Sequence, residues 1–184
     1  MAELGLRGVT IDALVNGAAL RHPGSFVHAD ETELLGVLHV NLAALAHLTR
    51  LVLPGMLARR WGRIVNFSSA DALRLGSRRA LSRAGEAFVL SFSLALADEL
   101  RGSGVRAIAV CLPPALPVPS SGPPALEARS SAPIRADLAE IAAWGYLAVK
   151  RGRPPAVRGM RWQARAVGTR LLPTAVVARV HRVS

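Results

Sequence analysis

Short apolar runs alternate with long amphipathic patterns through the first 112 residues of this chain, and that alternation limits its fold more than any other feature. IDALVN (11–16), RIVNFSS (63–69) and VRAIAVCL (105–112) read as strands, the last apolar throughout, as a strand covered on both faces should be. Between the first two, 32–59 reads as a helix whose Leu34, Leu35, Leu38, Leu42, Leu45, Leu48, Leu51 and Val52 recur at three- and four-residue spacing. Asp30 and Thr32 compete to cap it, and Pro54-Gly55 should bend or end it. Residues 81–100 give a second helix, with Leu81, Ala84, Phe88, Phe92, Ala95, Leu96 and Leu100 on one face and Gly102 and Gly104 stopping it. Strand, helix, strand, helix, strand at this spacing predicts parallel βαβ units.

Further along, 113–133 is a Pro/Ser-rich loop, longer than a plain connector. Residues 134–150 read as a third helix, 154–159 as a short edge strand, and 161–182 as a closing amphipathic helix that Pro173 breaks. The 184 residues make one domain with a real core, and 51% apolar content excludes general disorder. No apolar run approaches the roughly 20 residues of a membrane-spanning helix, and no secretory signal is visible, so a cytoplasmic protein is expected. The single cysteine, Cys111, precludes an internal disulfide and is expected in the core.

The formal charge is +11, and Lys150 to the end holds nine Lys or Arg without one acid. This basic segment (150–184) is either a solvated face or an attractor for phosphates and anionic lipid. Trp162 is the one aromatic available there for stacking, which argues against sequence-specific nucleic-acid readout.

Candidate site residues lie at the strand ends. Ser68 and Ser69 close the second strand, where open α/β sheets hold their ligands; ordinary turn chemistry would also account for them. Asn16 closes the first strand, and Asn41 sits mid-helix, where Asn is unfavourable unless a kink or a water satisfies it. These positions and their spacing, in VNLAALAHLTRLVLPGMLARRWGRIVNFSS (40–69), resemble the short-chain dehydrogenase/reductase family from about Ile11 to Ala115. GYLAVKRGRPPAVRGM resembles the C-terminal segment of one subgroup.

The resemblance implies a truncated, Rossmann-like α/β fold: a three-layer sandwich around a mostly parallel sheet of about four strands, lacking the first three βα units. It implies that LVNGAA matches the family's Asn-Asn-Ala-Gly turn, with Asn16 and Gly17 bordering the cofactor, NADP or NAD. It implies that Asn41 holds the water of a proton relay and that Ser69 binds the substrate carbonyl. The acid and its lysine should follow as Tyr-x-x-x-Lys, 13 residues beyond Ser69. SRAGEAFVLSF stands there instead, so Ser82 replaces the Tyr and Glu86 the Lys. An aliphatic hydroxyl is a far weaker acid than a phenol, and a neighbouring carboxylate raises an acid's pKa, whereas lysine lowers it.

Tyr146 and Lys150 also spell Tyr-x-x-x-Lys, but 77 residues past Ser69, where packing and surface charge are expected. Leu112, Pro113 and Pro114 stand where relatives have a Pro-Gly turn, and the glycine-rich phosphate turn has no counterpart. The expectation is a protein resembling an NAD(P)-dependent oxidoreductase of carbonyls or alcohols but impaired in catalysis. The alternatives are a non-catalytic interaction module and a basic binder of membrane surfaces. The resemblance implies homodimerisation through helices 32–59 and 81–100. With the first units absent, 11–16 becomes an exposed edge open to pairing with another chain.

Overall fold

The computed structural model describes residues 7–20, 25–69 and 80–112, and, beyond them, 143, 145–147, 149–150 and 156–157. The expected loop at 113–133, the closing helix at 161–182 and most of the basic segment lie outside the described residues.

Four strands form one sheet in the order β1 (Ala13–Asn16), β2 (Gly62–Ser69), β3 (Val105–Leu112) and β4 (Ala156–Val157), all pairs parallel. Helix α1 (Glu31–Ala58) joins β1 to β2, and α2 (Ala80–Glu99) lies between β2 and β3. Both pack on the face presenting Ile64 and Ala107, where Val52, Met56, Leu96, Leu100 and Val105 complete a buried cluster. On the other face Val65, Ile108 and Val110 meet Val149 of a helical segment, giving the third layer of the expected sandwich.

β1 stands at one end of the described sheet, with Val15 exposed. Of the strand expected at 154–159, the described residues Ala156–Val157 are strand, and the one expected at 11–16 shortens to its last four residues.

Asp30 wins the cap of α1, accepting from the amides of Thr32 (2.9 Å) and Glu33 (3.2 Å). Of the bend or end expected at Pro54-Gly55, the end does not fall there. Pro54 stands on the exposed side, where the carbonyl it frees can meet water, and the helix runs to Ala58. It ends because Arg60 adopts φ 52°, with Trp61 N donating to Met56 O (3.1 Å) and Arg60 N to Leu57 O (3.0 Å), a Schellman arrangement. In mid-course, His39–Ala44 widens into a π-turn around Asn41.

The apolar faces read from periodicity are turned from where they were expected. The buried residues of α1 are Val37, Leu45, Thr49, Val52 and Met56; those of α2 are Gly85, Val89, Ser93 and Leu96. Leu35 (58% exposed), Leu38, Leu48, Leu51 and Phe88 face outward. Both helices carry two apolar faces, so the richer leucine stripe does not identify the core.

By length and composition both helices are long and apolar enough to span a bilayer, with mean hydropathies of 1.4 and 1.3, although neither is one unbroken apolar run. Here their inner faces are laid on a sheet.

Candidate active site

The site gathers at the C-terminal ends of β1 and β2. Glu86, on the second turn of α2, points its carboxylate back at the end of β2. Its Oε2 accepts from Ser68 Oγ (2.9 Å) and from the Ser69 amide (2.6 Å), and its backbone carbonyl accepts from the same Ser68 hydroxyl (3.0 Å). Ser68 and Ser69 are both buried. Charge-assisted bonds of this kind are short and roughly twice as strong as neutral ones.

Cys111, the register partner of Ser68, lies close enough to feel the same carboxylate. Burial, and then the Glu86 charge, push its thiol up to about 12. It is a buried core cysteine, as expected.

Ser82 lies one turn before Glu86 on the same helix and is half-buried. The serine-for-tyrosine and glutamate-for-lysine positions therefore share one helix face, from which Glu86 reaches Ser69. Among them Glu86 is the residue shown bonded to the strand end.

A second polar run enters the core. Asn16 Nδ2 donates to Asn66 Oδ1 (2.8 Å), Asn66 Nδ2 to Ser93 Oγ (2.8 Å), and Ser93 Oγ to Val89 O (2.6 Å). Asn66 and Ser93 are wholly buried, and the run ties β1 through β2 to α2. Sequence reasoning found Asn16 and missed the other two. Their signal was present: an Asn interrupting the apolar run IVNF, and a Ser on a helix of otherwise apolar inward positions.

Gly17 follows Asn16; a methyl added there would meet the Phe67 ring at 3.7 Å, an ordinary contact, so its lack of a side chain relieves no crowding.

Asn41 does occupy a local distortion, as its mid-helix placement predicted. Its side chain clasps the backbone of Leu20, accepting from the amide (2.7 Å) and donating to the carbonyl (2.8 Å). The π-turn and the clasp satisfy it together.

Tyr146 and Lys150 stay apart from this site. Lys150 Nζ sits 5.0 Å over the Tyr146 ring, and its carbonyl accepts from Arg106 at 3.5 Å. Arg106 lies six residues before Leu112, the register partner of Ser69, which places it about 20 Å away along the strand.

A parallel sheet covered by helices, with polar groups converging at its carboxyl edge, defines an open, Rossmann-like α/β protein. The comparisons make this specific. The family model for short chain dehydrogenases matches residues 3–118, and the chain belongs to that family. It is 35% identical over 101 residues to the ketoacyl reductase HetN of a Nostoc species, covering 55% of this chain and 35% of that protein.

Among solved structures it is similar to a short-chain dehydrogenase from Streptomyces avermitilis, at 31% identity and TM-score 0.56, over 60% of this chain and 40% of that one. It is also similar to 4-hydroxyisoleucine dehydrogenase complexed with NADH, at 25% identity and TM-score 0.56, over 60% and 49%. The chain thus spans less than half the length of the relatives it matches.

Proposed function

We propose that this chain keeps the short-chain dehydrogenase scaffold without its hydride-transfer chemistry, serving as a non-catalytic member of the family. The observation that carries this reading is the Glu86 carboxylate bonded to Ser68 and to the Ser69 amide. Proton transfer to a carbonyl at this place needs an acid poised near neutral pH. Ser82 is a poor acid, and Glu86 brings negative charge where the family resemblance puts a cation, which holds any neighbouring acid's proton more tightly.

The relative complexed with NADH supports a nicotinamide dinucleotide as the ligand natural to such a site. The described residues fit that group only in part. Asn16 and the Glu86 carboxylate face the strand end, and a carboxylate accepts from ribose hydroxyls. Nothing among the described residues offers the cluster of backbone amides at a helix start that a pyrophosphate needs.

The opposite reading, an active NAD(P)-dependent oxidoreductase, is favoured by Asn41 and Ser69 standing at the family's positions. One assay decides: NADH or NADPH oxidation with a ketoacyl substrate, alongside equilibrium dialysis of each cofactor. No turnover above the protein-free rate is expected; turnover that disappears in Ser69→Ala would overturn the proposal. A cytoplasmic location belongs to the same reading, as does self-association through the outward faces of α1 and α2, where Leu35, Leu38, Leu42 and Phe88 line an open apolar groove of about 810 Å³.

A further inference from the structure

The amino-terminal edge of the sheet, opposite the Ser69–Glu86 site, carries a second cluster. Arg63 and Arg106 are register partners on β2 and β3, so strand spacing sets their backbones about 4.8 Å apart and both side chains leave the same face. Arg63 lies 4.9 Å over the exposed Trp61 ring, and its Nη1 donates to the carbonyls of Gly62 (2.8 Å) and Gly104 (3.3 Å). Arg106 donates to the Lys150 carbonyl (3.5 Å), which holds the Lys150 backbone at this edge, with its Nζ 5.0 Å over the Tyr146 ring.

The nearby carboxylates are committed elsewhere, Asp12 to Arg59 (3.6 Å) and Asp98 to Arg101 (2.6 Å). Among the described residues no carboxylate pairs with Arg63, Arg106 or Lys150. Burial, and then the neighbouring Arg106 charge, pull the Arg63 guanidinium below its ordinary value.

We propose that Arg63, Arg106 and Lys150 form a binding site for a phosphate group at this edge. Two guanidinium forks side by side match the oxygens of a phosphate, and the lysine adds a point charge. Trp61 and the two glycine carbonyls hold Arg63 in place, so less side-chain freedom is lost on binding. The site stands apart from the strand-end site and does not depend on how that one is read.

The test is calorimetric titration of the full chain with inorganic pyrophosphate, at low and at physiological salt. Saturable binding that weakens with salt is expected, with a loss of about tenfold in Arg106→Gln and a smaller loss in Arg106→Lys, which keeps the charge but not the fork. Arg101→Gln, whose partner is Asp98, should bind as the parent does. Because Arg106 and Arg101 are exposed, these variants are expected to fold, and circular dichroism checks it.

No saturable binding overturns the proposal. So does equal weakening by Arg101→Gln and Arg106→Gln, which would mean diffuse attraction to the +11 chain. Pelleting with phosphatidylglycerol vesicles that pyrophosphate reverses supports a lipid headgroup as the source. Pyrophosphate binding without pelleting supports a soluble phosphate. If a nicotinamide dinucleotide binds, loss of that binding in Arg106→Gln assigns it to this edge, and its retention assigns it to the strand end while pyrophosphate still tests the basal site.

Discussion

One carboxylate decides how the strand-end site behaves. Glu86 meets a buried hydroxyl and a buried amide, so the residue that departs most from the family pattern is also the best integrated one. The Asn16–Asn66–Ser93 run behaves similarly. Asn66→Ala should cost about 3 kcal/mol in urea unfolding, because it strands two partners as well as removing itself. In a double-mutant cycle with Ser93→Ala the effects should fall short of additive. The hydroxyl of Thr49, buried without a partner among the described residues, predicts the reverse: Thr49→Val should raise stability by about 1 kcal/mol in the same assay.

Cys111 gives a pH dependence. Its thiol is raised from 9.0 to about 12 in the fold, so the unfolded chain loses its proton first as pH rises. The Cys111 contribution is therefore constant below about pH 9 and turns destabilising from there to about 12. Thermal melts of Cys111→Ser should lack this part of the alkaline decline. The residues of the site were legible as types at positions; their partners were not, because which side chains a strand end meets depends on how α2 is rolled against the sheet.

At the scale of elements, periodicity located both long helices to within two residues at each end, and apolar runs located all three main strands. It missed the roll of the helices. A stripe of leucines is no more hydrophobic to solvent than to a sheet, and small inward residues (Gly85, Ser93) are chosen for close approach. Pro54 does not set the end of α1; the backbone geometry at Arg60 does.

The turn after α2 shows what such geometry demands. Gly104 has φ 88°, and a Cβ there would fall on the carbonyl of Arg60. Gly104→Ala should destabilise by at least about 2 kcal/mol, whereas Gly102→Ala, with open space around it and φ 74°, should lose only the backbone term of about 1 kcal/mol. Paired chemical denaturation curves separate the two.

For the whole molecule, the parallel pairing of the strands is the arrangement that the strand–helix alternation predicts. What alternation cannot supply is what lies against the outer helix faces. The outward leucines and Phe88 form an apolar surface of the sort that soluble monomers rarely leave open. Leu35→Glu combined with Phe88→Glu should convert a dimer to a monomer in analytical ultracentrifugation without changing the circular dichroism spectrum, since neither side chain is in the core. A parent chain that sediments as a monomer at all concentrations would remove this assembly.

The π-turn at 39–44 has a consequence for how this site tolerates change. A π-turn is an α-helix with one residue too many, so the stretch before it and the stretch after it are out of phase by about 100°, one residue's rotation. Asn41 reaches Leu20 from within that phase slip, and the segment carrying Asn16 and Gly17 is held to the helix through the same clasp. The chain-count of one helical turn thus sets the address of a side chain across the molecule. Substitutions along that turn leave the address intact, while gain or loss of a single residue there reassigns it.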